Sequence, residues 1–308
     1  MKFTFLGTGA GRPTKERNVS ALGMEIENEY GWYLFDCGEA TQHQILKTHL
    51  SIYKLKNIFI SHIHGDHVYG LFGLITSRML DKCEAPLKIY APKGVKEMVE
   101  SVVDTSYEHL GYELEFIEIY GGFEEEFENF NLKALPLIHS VESLAFYIQK
   151  KPKIKLNAQK LIKDGLNPGI EYKEIQKGLD IKRDGKTYKA SEYTEKIEGE
   201  KIIIAGDNAQ PDYLGKYLKN LDLLIHEATY TAEVFEKMET KYLHTTAKDL
   251  GVAAEEYGVK NLIATHISPR FDGEEILEEI KKYYTKNVCV ANDFDVYELK
   301  GSICRKFS

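Results

Sequence analysis

Asn57–His67 reads NIFISHIHGDH, and this stretch decides the fold. Its first half is β-branched and aromatic, the composition of a short buried strand. Its second half packs His62, His64, Asp66 and His67 into six residues. His62 and His64 stand two apart, so at a strand end both imidazoles face the same side, whereas a helix would point them apart. Gly65 then permits a sharp turn that brings Asp66 and His67 round to the same pocket. Four further runs end in the same way: PLIHS at His139, IIIAGD at Asp207, LLIHEA at His226-Glu227 and LIATH at His266. Chemistry at the C-terminal ends of several strands converges on one crevice of an open sheet. Imidazoles and carboxylates in this number suit two hard-to-borderline cations, with zinc the leading candidate, and point to hydrolysis by metal-activated water.

Outward from that stretch, strand-like and helix-like runs alternate. YGWYLFDCGEA, PLKIYAP, KIIIAGD and NLIATH are short and apolar, while PKGVKEMVESVVDTSYEHL, TTAKDLGVAAEEYGV and GEEILEEIKKYY carry apolar residues at helical spacing. The alternation predicts an α/β architecture. ELEFIEIYGGFEEEFENFNLKALPLIH reads as antiparallel strands, so the sheet is expected to be mixed, with Glu124–Glu126 a solvated hairpin face. Residues 150–200 break the pattern. This segment has polar turns at Asp164-Gly165 and Asp184-Gly185 and no long apolar period, and it reads as a weakly packed inserted arm.

The chain has 308 residues, 43% of them hydrophobic and 29% charged, which suits a globular protein of one large domain or two small ones, either able to bury a full core. No apolar run approaches the roughly 20 residues that span a bilayer, and MKFTFLGTGAG reads as a strand and turn rather than a signal peptide. Cys37, Cys83, Cys289 and Cys304 lie far apart with no CxxC pair, so reduced thiols in a cytoplasmic protein are expected. The net charge of −8 argues against a polyanionic partner, but its distribution does not. From Lys150 to Lys189 there are twelve Lys/Arg against five Asp/Glu, a local +7 that leaves −15 on the remainder. A basic segment on an acidic body is a directed electrostatic feature, although a solvated lysine-rich loop has the same composition. His226-Glu227 and His244 form an acid–base candidate outside the metal cluster, since a carboxylate on one imidazole nitrogen orients the ring. His43, His49 and His109 fall in helix-like segments and carry no assigned role.

The HxHxDH cluster with later lone His, Asp and His positions resembles the metallo-β-lactamase superfamily. GTGAGRPTKERNVSA, DCGEATQHQ, SHIHGDHVYGLFGL, HEATY and YLHTTAKD narrow the resemblance to ribonuclease Z, the endonucleases that trim tRNA precursors at their 3′ ends. The resemblance implies an αββα sandwich of two mixed sheets with helices outside, a single catalytic domain over 1–308 and a tRNA-gripping arm over 150–200. It implies two zinc ions, one held by His62, His64 and His139 and the other by Asp66, His67 and His266, with Asp207 bridging. Asp66 is then also the proton acceptor for the attacking water, and Glu227 with His244 assists the leaving 3′ oxygen. Asn208 stands where threonine is common, which leaves the ligand intact. Lys15, Arg17 and Arg270 are expected phosphate contacts near the cut. The implied partners are precursor tRNA and a second copy in a homodimer, with no membrane. Two other readings stay open at this point. One is a small-molecule phosphodiesterase or arylsulfatase of the same superfamily, against which the basic arm and PTKERN loop argue. The other is a non-catalytic RNA binder stabilised by zinc, against which the acid–base set argues. Manganese also suits such ligands.

Overall fold

Phe59 closes the strand that feeds the histidine cluster, and its ring shows how the molecule is layered. It stacks on Phe35 and Tyr90 at ring-centroid separations of 5.0 and 4.9 Å and meets Phe146 of the facing sheet at 5.7 Å. Its neighbour Ile58 points the other way, into a core shared with helices. Strands buried on both faces read as continuous apolar runs, which is why this one lacks polar alternation. In the computed structural model, which describes residues 1–307, two mixed sheets pack face to face with helices on their outer sides.

The first sheet contains β1 (Lys2–Gly7), β2 (Ala21–Glu25), β3 (Trp32–Phe35), β4 (Leu55–Phe59), β5 (Leu87–Ala91) and β6 (Leu114–Glu118). The second begins with β7 (Glu124–Glu126), β8 (Phe130–Pro136) and β9 (Leu144–Lys150). The arm follows with β10 (Lys153–Leu156), β11 (Ile181–Arg183), β12 (Lys186–Tyr188) and β13 (Thr194–Ile197). The second sheet resumes with β14 (Lys201–Ala205), β15 (Leu223–Glu227), β16 (Asn261–Thr265) and β17 (Asn287–Val290), and β18 (Val296–Lys300) and β19 (Ile303–Lys306) return to the first. The orders are β19-β18-β1-β2-β3-β4-β5-β6 and β17-β16-β15-β14-β9-β8-β7. Helices Gly70–Leu80 and Val95–Thr105 cover the outside of the first sheet, and Ala247–Glu256 and Glu274–Lys281 cover the second.

Three sequence expectations change. The stretch from Leu114 to His139 is not one antiparallel set: β6 runs parallel to β5, and the chain crosses at Gly121-Gly122 to the second sheet, where β7 and β8 pair antiparallel. His62 and His64 are not on a strand, since β4 ends at Phe59 and the loop 60–64 leads directly into the short helix Gly65–Val68. The arm is better packed than its sequence suggests. Leu161, Leu166, Ile175, Tyr188, Ala190 and Tyr193 form a separate small core, and β10 and β13 pair as a two-stranded stalk. The stalk springs from neighbouring strands. Lys150 N–H donates to Glu200 O at 3.0 Å, the two side chains form an ion pair at 3.2 Å, and a Cβ at Gly199 would lie 1.8 Å from Lys150 O.

Candidate metal and acid–base site

Both sheets deliver their C-terminal strand ends to one side of the sandwich. Asp36 follows β3, the 60–67 loop follows β4, His139 follows β8, Asp207 follows β14, Glu227 ends β15 and His266 follows β16. The two edges are tied by Leu144 N–H donating to Ser61 O at 3.0 Å. Asp36 and His266 both take the left-handed backbone conformation, each with φ 55°, a strained choice for residues with a Cβ that clusters at functional sites.

The side chains gather in two groups. His62, His64, His139 and Asp207 bring ligand atoms within 4.8 Å of one another, as do Asp66, His67 and His266. Asp207 faces both. Its Oδ2 lies 3.7 Å from His62 Nε2 and 3.9 Å from His139 Nε2, while its Oδ1 lies 3.4 Å from His67 Nε2 and 3.3 Å from His266 Nε2. His64 turns Nδ1 toward the first group, 3.1 Å from His62 Nε2 and 3.2 Å from His139 Nε2.

Four of the five rings are held from behind. His62 Nδ1 meets Ser61 Oγ at 3.0 Å, His67 Nδ1 meets Asp36 Oδ2 at 2.7 Å, His139 Nδ1 meets Leu243 O at 2.9 Å, and His266 Nδ1 meets Thr229 Oγ1 at 3.0 Å. In each the opposite nitrogen points into the site, the arrangement by which outer groups fix the tautomer of a metal-binding histidine. The fit to a cation is sharpest at His67, a buried ring whose Nε2 has no hydrogen-bond partner among the described residues. A buried polar atom without a partner is costly unless something else binds it. Burial drives His62 toward the neutral, ligating form, and the neighbouring imidazoles reinforce it. Burial opposes the charge on Asp66 and Asp207, but the surrounding imidazoles outweigh it and hold both carboxyls below their usual range.

A second layer stands over these groups. The Glu227 carboxylate accepts Asn208 N–H at 2.6 Å, Thr245 N–H at 3.2 Å and His244 Nδ1–H at 3.1 Å, and the Thr229 hydroxyl donates to it as well. Burial lowers the His244 pKa, but the Glu227 carboxylate more than offsets it and the imidazole is pushed up to about 9. The His244 ring lies 5.4 Å from those of both His139 and His266, between the two groups. His226 is not part of this pair. Its ring is buried behind the site, with Nδ1 donating to Glu227 O at 2.8 Å and Nε2 accepting from Asn208 Nδ2 at 3.0 Å.

Two residues read differently in space than in sequence. Asp36 was given no role, yet it holds His67 and accepts Ser61 N–H at 2.7 Å, so it braces two parts of the loop. The signal was present, because WYLFD ends on an acid like the other runs. Arg17, an expected phosphate contact, is only 5% exposed, and its guanidinium is bonded to four protein oxygens. Lys15 and Arg270 are exposed.

Residues 1–163 match the model of the family described as anti-Pycsar protein Apyc1, a span that stops short of Asp207, Glu227, His244 and His266. A ribonuclease Z of Marinobacter nauticus is 36% identical over 313 residues, covering 97% of this chain and 97% of its own length, and so spans them all. The chain belongs to the ribonuclease Z family. The short form of human tRNase Z superposes with a TM-score of 0.70 at 27% identity, over 97% of this chain and all of that one. A metallo-β-lactamase fold protein of Bacillus subtilis, YhfI, gives 0.69 at 19% identity over 97% and 98%, a likeness of fold alone. The architecture is therefore the metallo-β-lactamase sandwich, and the ribonuclease Z member described here is a hydrolytic endoribonuclease whose side chains are arranged to hold metal.

Proposed function

We propose that this ribonuclease Z removes 3′ trailers from tRNA precursors in the cytoplasm. It cuts after the discriminator nucleotide to leave a 3′ hydroxyl on the tRNA and a 5′ phosphate on the trailer. The observation that carries the reading is Asp207 offering one carboxylate oxygen to each of two histidine groups, with the Glu227–His244 pair standing over both. We assign two zinc ions per subunit: His62, His64 and His139 hold one, Asp66, His67 and His266 hold the other, and Asp207 serves both. When bound, such ions supply Lewis acidity, making water a better nucleophile and neutralising charge that builds on the phosphoryl oxygens.

The chain's own groups handle the protons. Asp66, kept ionised by His266 and His67, accepts a proton from the attacking water. His244, protonated at neutral pH beside Glu227, donates its Nε2 proton to the departing 3′ oxygen as the phosphorus–oxygen bond breaks. The Nδ1–H bond to Glu227 keeps the ring in the orientation this transfer requires. Lys15 and Arg270 are assigned to phosphates flanking the cut. Residues 150–200 act as an exosite for the tRNA body. Lys163, Lys173, Lys177 and Lys182 project into solvent from this arm, where a basic surface reads backbone and shape rather than sequence. A homodimer, in which one subunit's arm holds tRNA cut by the other, completes the proposal.

The test is to incubate the purified protein, its metal content quantified, with a precursor tRNA and to map the product ends. A single cut after the discriminator, lost in Asp66→Ala, is the expected result. Hydrolysis of small diesters with no cut in the precursor would move the protein to the small-molecule reading.

A further inference from the structure

We infer that Arg17 is a positioning residue for the Asp66–His67–His266 group, acting through the loop 8–18 and not through contact with RNA. The inference rests on the metal-dependent reading of the site given above. Arg17 Nη1 donates to Thr8 Oγ1 at 2.7 Å and Ala291 O at 2.6 Å, and Nη2 donates to Asp272 O at 2.9 Å and Asn292 Oδ1 at 2.8 Å. Three segments distant in sequence are thereby joined at one planar cation, a geometry that the five-donor guanidinium supplies and an ammonium does not. All four acceptors are uncharged, and the balancing carboxylate is Asp293, which accepts Thr8 Oγ1–H at 2.8 Å, Asn18 N–H at 2.7 Å and Gln44 Nε2–H at 2.9 Å. A phosphate could reach this guanidinium only by displacing partners from a buried, satisfied charge, which is strongly unfavourable.

The loop fixed in this way touches two of the three ligands. Gly11 N–H donates to Asp66 Oδ2 at 2.8 Å, the same oxygen that lies 3.4 Å from His266 Nε2 and 3.6 Å from His67 Nε2. On the other flank Ile267 N–H donates to Thr8 O at 2.9 Å and Ala10 N–H to Ile267 O at 3.0 Å, clamping the residue next to His266. Gly11 aims its N–H from a backbone φ of +69°, a conformation other residues adopt at a cost. The chain of contacts therefore runs from Arg17 through Thr8 and the loop to the Asp66 carboxylate and the His266 backbone. Outer contacts of this kind are worth about 10–100-fold in metal affinity or activity.

The experiment compares wild type, Arg17→Lys, Arg17→Met and Lys15→Gln on two substrates, a precursor tRNA and bis(p-nitrophenyl) phosphate, with zinc retention measured by graded chelator competition. For both Arg17 variants the expected result is about 10–100-fold weaker retention of one of two zinc equivalents. Their kcat should fall by a common factor on both substrates, with unchanged precursor KM and unchanged salt dependence. Lys15→Gln, which loses a phosphate contact, should instead raise precursor KM and flatten its salt dependence. The inference is overturned if Arg17→Met raises precursor KM and flattens its salt dependence, by about 0.7 in log–log slope for a single-strand phosphate contact, while zinc retention and diester turnover stay at wild type. Wild-type zinc retention and wild-type kcat together would overturn it equally. Should Arg17→Met fail to fold, Thr8→Val removes one acceptor while leaving the guanidinium, and the same split decides. A wild-type protein that cuts the diester but not the precursor would end the tRNA reading, and this inference would still be decided on zinc and diester alone.

Discussion

In the metal crevice, almost every reactive side chain is held by a second group. Across the stalk the hold is confined to some of the charged groups, such as Arg183 on Glu171 at 2.6 Å and Lys160 on Glu192 O at 3.0 Å. His67 has Asp36 behind it and Asp66 has Gly11, whereas Lys163, Lys173, Lys177 and Lys182 end in solvent. The arm nevertheless folds around six buried residues, so its backbone is packed while those four lysines stay exposed. The difference matches the two tasks proposed for these regions. Electrostatic catalysis depends on dipoles and ligands that need not reorganise during reaction. Binding a polyanion by counterion release depends on the number of cations near its backbone and tolerates their motion. Across residues 150–200 there are thirteen Lys/Arg against nine Asp/Glu, a net +4, because β13 and the stalk base bring acidic partners.

Four changes probe this contrast, beginning with the largest expected effect. Asp207→Ala removes an oxygen from both ligand groups, and its loss of metal and of diester turnover should exceed the roughly 100-fold that outer contacts cost. Metal analysis after dialysis checks it, and an active, metal-loaded variant would dismantle the two-group description. Asp36→Asn keeps shape but weakens the hold on His67, and metal affinity should drop about 10–100-fold by chelator competition. An unchanged affinity would mean the crevice is less dependent on its backing than the geometry indicates. Leu161→Ala empties part of the arm's small core at a cost of about 2–5 kcal/mol. Hydrogen exchange should then accelerate in residues 153–197 with β14–β16 still protected, and precursor KM should rise with diester turnover unchanged. Simultaneous loss of protection in both regions would show that the arm and body unfold as one. Lys163→Gln with Lys177→Gln is the mildest change: the salt slope of precursor binding should lessen by about 0.7 per lost phosphate contact, read from KM between low and moderate salt.

The sequence carried the crevice more clearly than its surroundings, for a physical reason. Candidate metal ligands come from a short menu of residue types, so His139, Asp207 and His266, each ambiguous alone, gain meaning once the dense His62–His67 cluster is set beside them. A backing residue does not. Asp36 ends its strand like the others, but nothing local distinguishes a carboxylate that meets a cation from one that meets an imidazole. Arg17 misleads further, because a basic residue in a glycine-rich loop reads as a surface group, and its partners Ala291 and Asn292 lie more than 270 positions away. The arm's core was hidden because Leu161, Leu166, Ile175, Tyr188 and Tyr193 are spread over several short elements with no shared period. The parallel β5–β6 pairing was hidden for a related reason, since the partner of a strand is chosen by the whole sheet and not by the next strand in sequence.

The base of the arm has one further consequence. The chain leaves β9 at Lys150 and re-enters at β14 beside it, where Lys201 already pairs with Gln149. Topologically the whole excursion is a hairpin turn grown to fifty residues, and its two ends need no rearrangement to be joined directly. A fold with such a doorway can gain, lose or exchange the inserted arm in one step of chain insertion, leaving the crevice intact. With the arm as the RNA grip proposed above, substrate choice is inherited separately from catalytic power.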